Sequence, residues 1–202
     1  MKVLIVGRTA SGKDTLREAL ERKYGWKFVK SYTTRKKRFE DEDTHLFVSQ
    51  QQADNVTNKV AVTFVNNGEG WDEYFATEEQ VQEADAYIVD PVGMYLLCAS
   101  MPYEHFVVVY VKPVSTYLQF KHVIVRFDGF HPYKAAKRIL SENSEFVQFE
   151  KYMWCNGVKR VQVRLQVDVV NSYEPGWSDK AADQVQSDVE LCKRYEHVIW
   201  VS

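Results

Sequence analysis

Hydrophobic residues along this chain gather in short unbroken runs rather than strict alternation, the pattern of strands buried on both faces. Four runs have the length of such strands: Lys2 to Val6, Ala86 to Val89, Phe106 to Val111 and Val167 to Val170. A fifth, "VIWV" at 198 to 201, closes the chain. Between them the spacing predicts helices over Asp14 to Tyr24, Glu78 to Glu83, Ser115 to Phe120, Tyr133 to Met153 and Asp179 to Arg194. The longest carries Ile139, Phe146, Phe149 and Met153 at helical spacing, an apolar stripe. Strands that alternate with helices predict an α/β sandwich with a mostly parallel sheet. Residues 31 to 76 break the alternation. Charge clusters and short segments such as "VAVTFV" predict a small β-rich lobe there, without a helix, inserted into the main fold. Residues 155 to 166, "CNGVKRVQVRLQ", read as a further insertion of strand-like character.

Composition narrows the picture. A chain of 202 residues suffices for one well-cored domain, and 45% hydrophobic with 27% charged residues is ordinary for a soluble globular protein. A net charge of -2 gives no reason to expect nucleic-acid binding. Cys98, Cys155 and Cys192 lie far apart, without the spacing of a disulfide framework or a zinc site. The longest apolar runs, such as "FVVVYV", fall far short of a membrane span, and the N-terminus does not read as a signal peptide. The expectation is a cytoplasmic protein, monomer or homodimer, with neither nucleic-acid nor membrane partners.

Chemistry enters at "VGRTASGKDT", residues 6 to 15. Gly7, Gly12 and Lys13 fit G-x-x-x-x-G-K, placed after a strand and before a helix as that motif demands. Glycines let backbone N–H groups curl around a phosphate, the helix start adds a positive field, and the lysine reaches the terminal phosphates. Gly7, Arg8, Thr9, Ala10, Ser11, Gly12, Lys13, Asp14 and Thr15 are thus candidate ATP-binding residues. Asp14 stands where Ser or Thr usually meets Mg²⁺, and two readings stay open. Either Asp14 meets the metal or one of its waters, or it favours the helix start while Thr15 supplies a hydroxyl.

Residues 29 to 49, "VKSYTTRKKRFEDEDTHLFVS", carry a second signal. Two arginines close together, Arg35 and Arg38, suit a phosphate monoester, because planar guanidinium forks bind such groups bidentately. The stretch resembles the acceptor-binding segment of guanylate kinases, with Ser31, Thr33-Thr34-Arg35 and Arg38 at the matching places. The likeness runs on through "DEYFAT" (72 to 77), "AYIVD" (86 to 90), Arg126, "AAKRIL" around Arg138, and "DVVN" ending at Asn171. It spans the start of the chain through Asn171 and is densest over residues 3 to 49.

The resemblance implies a P-loop three-layer sandwich, one domain over residues 1 to 202. Its monophosphate-binding lobe would lie at about 31 to 77 and its lid at about 121 to 132. It implies transfer of the ATP γ-phosphate, with Mg²⁺, to a GMP- or dGMP-like monophosphate. Lys13, Arg35, Arg126 and Arg138 would serve catalysis. Ser31, Arg35, Arg38, His45, Asn66, Thr77 and Asp90 would hold the monophosphate, and Asn171 would lie near the adenine. Several places depart from the family. His45 and Phe75 replace tyrosines, and Asn66 aligns with the guanine-reading glutamate. An amide offers one acceptor and one donor and suits another base. Thr77 also reads as the cap of a helix, with Gln80 completing a capping box, and Asp90 before Pro91 also reads as turn chemistry. Two alternatives therefore stand beside the first reading: a kinase for another (deoxy)nucleoside monophosphate, and a guanylate-kinase-like interaction module without catalysis.

Overall fold

The unbroken apolar runs form one parallel sheet. The computed structural model of the chain describes residues 1–37, 39–66, 70–126, 132–155 and 163–195. Strands β1 (Lys2–Gly7), β6 (Ala86–Ile88), β7 (Phe106–Pro113) and β8 (Val163–Asn171) lie in the order β6-β1-β7-β8, every neighbour pair parallel. Alternate residues serve opposite faces. Leu4, Val6, Val108 and Tyr110 pack against Met94 and Leu97 of α4 (Pro91–Ser100) and Phe146 and Phe149 of α6 (Pro132–Cys155). Val3, Ile5, Val107, Val109 and Val111 pack against Leu16 and Leu20 of α1 (Lys13–Tyr24) and Val185 and Val189 of α7 (Trp177–Tyr195). Covering both faces with helices makes three layers, and it explains why the central strands β1 and β7 carry no polar side, whereas the edge strand β8 exposes Asp168 and Val170.

The β-rich lobe is a second sheet inserted between α1 and α3 (Glu78–Glu83). Its strands β2 (Tyr32–Thr33), β3 (Leu46–Phe47), β4 (Lys59–Asn66) and β5 (Trp71–Thr77) lie in the order β3-β2-β5-β4. The β2–β3 pair is parallel and the other two are antiparallel. Val60, Ala61 and Ala76 of this sheet join the cluster of Met94 and Leu97, so α4 ties the lobe to the main sheet. Among the described residues, no helix is long and apolar enough to cross a membrane.

Several elements differ from expectation. Helix α4 has no amphipathic stripe to announce it, because its exposed side carries the apolar Val92, Leu96 and Ala99 opposite the buried Pro91, Gly93, Met94, Leu97 and Cys98. The lobe contains a short helix, α2 (Gln50–Asp54), begun by a capping box between Ser49 and Gln52. Helix α5 runs Thr116–Arg126, past the expected end, and takes in the first half of the segment expected as a lid. Strand β8 begins at Val163, so the last part of the supposed insertion belongs to the main sheet. Residues 198 to 201 and 127 to 131 lie outside the described residues.

Phe149 is fully buried and meets Tyr110 and Phe146 edge to face, at centroid distances of 5.2 and 6.2 Å. Phe149→Ala is expected to lower unfolding stability by about 3–5 kcal/mol, a transfer term plus a cavity term. Urea denaturation reads the change, and a loss under about 1 kcal/mol would show that α6 is not anchored there.

Candidate active site

Strand β1 ends at Gly7 and helix α1 starts at Lys13, so the intervening loop crosses the C-terminal edge of the sheet, where ligands of such folds bind. Ala10 and Gly12 adopt left-handed backbone, with φ of 58° and 98°. A Cβ on Gly12 would lie 2.5 Å from the Trp177 ring and 2.6 Å from Asn171 Nδ2, so only glycine fits. Every carbonyl from Gly7 to Gly12 has a donor. Lys13 Nζ donates to Gly7 and Arg8 at 2.6 and 2.9 Å, and Gln119 Nε2 to Thr9 at 2.9 Å. The Tyr173 hydroxyl donates to Ala10 at 3.0 Å and Asn171 Nδ2 to Ser11 at 2.9 Å, while the Leu16 N–H reaches Gly12 at 2.9 Å.

That pinning orients the amides. In a trans peptide the N–H points opposite to its carbonyl, and the chain has no cis bond among the described residues. The N–H groups of Ala10 and Gly12 accordingly turn away from Gln119 and Asn171, and among the described residues they make no hydrogen bond. They adjoin the start of α1, where the first N–H groups have no intrahelical acceptor. Such a concave row of donors is an anion cradle. The loop's side chains behave differently. Arg8 leaves the cradle for α6, donating to Asn143 Oδ1 at 3.2 Å, and the Thr9 N–H donates to Glu142 Oε2 at 2.9 Å.

The cradle opens into a cleft of about 590 Å³ whose walls include Lys13, Asp14, Thr15, His122, Asn171, Tyr173 and Trp177. His122 and Tyr173 stack with centroids 4.3 Å apart and an interplanar angle of 11°. Burial holds the Tyr173 phenol above its ordinary pKa. Asn171, 2% exposed, ties Ser11 to the cleft wall: its Oδ1 also accepts from the Tyr173 N–H at 2.7 Å. The amide expected beside the adenine therefore spends both ends on holding the loop. For a metal, the cleft offers the Asp14 carboxylate and the Thr15 hydroxyl. Among the described residues no group of three or more His, Cys, Asp or Glu could cage an ion. Hard oxygen donors in so sparse a set fit Mg²⁺, which keeps waters and is held largely by phosphates.

On the lobe, Ser31, Arg35 and His45 come together. Ser31 Oγ lies 2.9 Å from His45 Nδ1, and the His45 ring meets Tyr74 edge to face at 5.6 Å. Arg35 is gripped bidentately by Glu42, at 2.8 and 3.1 Å, and lies 5.2 Å over the Phe47 ring. Burial pulls the Arg35 pKa down, but the hydrogen bonds it donates to Glu42, aided by Tyr74, outweigh it and leave the guanidinium above its ordinary value. Both threonines of "TTR" shape the backbone: Thr33 Oγ1 accepts from the Arg35 N–H at 3.2 Å and Thr34 Oγ1 from the Glu73 N–H at 2.8 Å. Below them Tyr87 is buried, and desolvation, with the Asp90 charge adding to it, pushes its phenol up against the opposing hydrogen bond from Ser31.

Strand alternation alters the reading of "DEYFAT". Phe75 is buried and stacks on Tyr32 at 5.0 Å, whereas Tyr74 faces the arginine and histidine. The phenol on the side of Arg35 is therefore Tyr74, one residue before Phe75, a signal that the period of a strand contained. Asn66 is not brought to Thr77. It pairs with Trp71 at the hairpin tip, while Lys59 pairs with Thr77, because the arms are long and the register shifts between Val60 and Thr63. Lys59 Nζ in turn meets Glu73 at 2.6 Å. Thr77 caps α3 in a capping box with Gln80, and Asp90 caps α4 by accepting from the Gly93 N–H at 2.6 Å. Arg38 lies outside the described residues; Arg126 and Arg138 lie on α5 and α6, with side chains outside that description. Neither Glu42, Gln119, Tyr173 nor Glu142 carried a signal in the sequence.

Loop, cleft and three-layer sheet define a P-loop kinase fold. The crystal structure of guanylate kinase from Anaplasma phagocytophilum matches with a TM-score of 0.53 and 13% identity, covering 94% of this chain and 85% of that one. Looser matches are an uncharacterized protein from Eubacterium ventriosum ATCC 27560 (TM-score 0.44, 13% identity, 94% and 99% covered) and a gluconokinase from Sinorhizobium meliloti 1021 (0.42, 11%, 94% and 95%). At such identities the first likeness is one of fold. No protein-family model matches the chain, and no curated protein matches it.

Glu42 is 1% exposed, so its charge depends on Arg35. Arg35→Ala is expected to cost about 3–5 kcal/mol by taking the balancing cation from that buried carboxylate, which keeps the Thr44 hydroxyl at 3.0 Å. Adding Glu42→Gln should recover part of the loss. Equal stability of the single and double variants in urea would show the two side chains to be uncoupled.

Proposed function

We propose that this protein is an ATP-dependent nucleoside monophosphate kinase of the guanylate kinase type. The observation that carries the reading is the loop whose carbonyls are all engaged while Lys13 stands at its mouth. In this reading the ATP phosphates lie on residues 7 to 15, with the nucleoside in the cleft against His122, Tyr173 and Trp177. Asp14 and Thr15 would hold Mg²⁺ directly or through its waters, and the ion would offset phosphate charge. The acceptor phosphate lies against Ser31, Arg35, His45 and Tyr74, and the resemblance gives Arg38 a share in holding it. Arg126 and Arg138, on the helices flanking the expected lid, neutralise charge on the group in flight.

Phosphoryl transfer asks for positioning and charge rather than covalent help, and the acceptor phosphate is already anionic, so no general base is needed. Lys13 supplies positive charge and Arg35 supplies orientation. Glu42 holds Arg35 in one rotamer before the acceptor arrives, which lowers the cost of ordering it. GMP and dGMP are the leading acceptors. A second reading, another nucleoside monophosphate, is favoured by the position of Asn66 at the hairpin tip, with Lys59 rather than a carboxylate paired to Thr77.

A coupled ADP-release assay over the common ribo- and deoxynucleoside monophosphates tests the proposal. Turnover of GMP or dGMP is expected, and Lys13→Ala is expected to lower it by about 10²–10³-fold. Turnover confined to other monophosphates would select the second reading. No turnover of any monophosphate, with partner binding that Lys13→Ala leaves intact, would mark an interaction module instead.

A further inference from the structure

Helix α6 touches the phosphate loop along one stripe. Glu142 Oε2 accepts from the Thr9 N–H at 2.9 Å, and its other oxygen accepts from the Thr9 hydroxyl. Next to it Asn143 Oδ1 holds Arg8 at 3.2 Å, and the guanidinium lies 5.1 Å over the Phe146 ring and 4.0 Å from Glu150. Glu150 accepts from the Tyr110 hydroxyl at 2.6 Å, and Phe146 and Phe149 are buried in the core. The stripe is therefore anchored to the central sheet. It sets a carboxylate on a loop whose remaining geometry selects anions.

Position along the loop gives this contact its meaning. The cleft is lined by Thr15, Asp14, Lys13, Gly12 and Ala10, and Thr9 is not part of that wall. A run of phosphates entering from the cleft meets the helix start first, Ala10 later and Thr9 last. The Thr9 end is thus where a third phosphate comes to lie, and a diphosphate stops short of it. A carboxylate already bonded there repels that third phosphate, because charges near the protein interior are weakly screened.

We propose that Glu142 is a positioning residue that guards the third-phosphate end of the loop, standing in for the terminal phosphate while the site is empty. A triphosphate is admitted only as the first turns of α6 give up Thr9. The proposal rests on the loop being a polyphosphate site, and it links the third phosphate to the helix that carries Arg138 one turn before Glu142.

Isothermal titration calorimetry of the full chain with magnesium-free tripolyphosphate and pyrophosphate tests it. Glu142→Gln keeps an acceptor for the Thr9 N–H and removes the charge. Tripolyphosphate should then bind about tenfold more tightly than to the wild type, with pyrophosphate changed by less than about twofold. The ratio of the two affinities is what matters, since a general loosening of the loop weakens both anions alike. Thr9→Val, which loosens the hold on Glu142 without touching α6, should move the ratio in the same direction and serves if Glu142→Gln does not fold. An unchanged ratio, a weaker tripolyphosphate affinity, or no tripolyphosphate binding to any of the three overturns the proposal. If the ratio shifts while no monophosphate is phosphorylated, the kinase reading falls and the role of Glu142 stands.

Discussion

The candidate site depends on where the carbonyl oxygens of one short loop are held. A peptide unit carries its donor and its acceptor on opposite sides. A loop can therefore present N–H groups to an anion only if something else satisfies its C=O groups. Here Lys13, Gln119, Asn171 and Tyr173 do so, from the loop itself, α5, the end of β8 and the turn beyond it. Losing any one of them would free a peptide to rotate and place an oxygen where a phosphate belongs. Gln119 and Asn171, each 2% exposed, are buried polar groups with every reason to stay bonded.

The same economy shapes the proposed acceptor side. A guanidinium that waits for a phosphate has to be held without being neutralised beyond use. Glu42 engages both terminal nitrogens of Arg35, while the Arg35 Nε is buried without a partner among the described residues. The two threonines before it fix the backbone, so the arginine starts from a defined place. Asp90 and Thr77, by contrast, are occupied as helix caps, and a ligand would have to share them. Strands β1 and β6 run side by side, with Ile5 paired to Ile88, so the loop after β1 and the cap after β6 emerge at the same edge. In the proposed kinase, that adjacency is what would bring the donor and the acceptor together.

Legibility in the sequence followed how local the governing physics was. The strand β1, the glycine turn and α1 were readable within a residue or two, because a buried strand, a glycine at positive φ and a helix start are written in consecutive residues. The Thr77 and Gln80 box was readable for the same reason. Helix α4 was hidden because apolar residues on its exposed side, Val92 and Leu96, erase its periodicity, and α2 because it has barely more than one turn. Asn66 aligned with the family's guanine-reading glutamate, but a hairpin's partners depend on the length of its arms and its bulges, and these put Lys59 rather than Asn66 opposite Thr77.

By itself, the sequence determined the layered α/β plan, the phosphate loop with Gly7, Gly12 and Lys13, and a basic segment around Arg35. Each follows from neighbours along the chain. Only the tertiary structure decided that Asn171 holds the loop, that Tyr74 rather than Phe75 faces Arg35, and that Glu142 lies on Thr9. These are contacts between residues up to 160 positions apart, set by the packing of α5, α6 and β8 around β1. No local pattern encodes them, because a side chain's partner is chosen by the surface it is folded against.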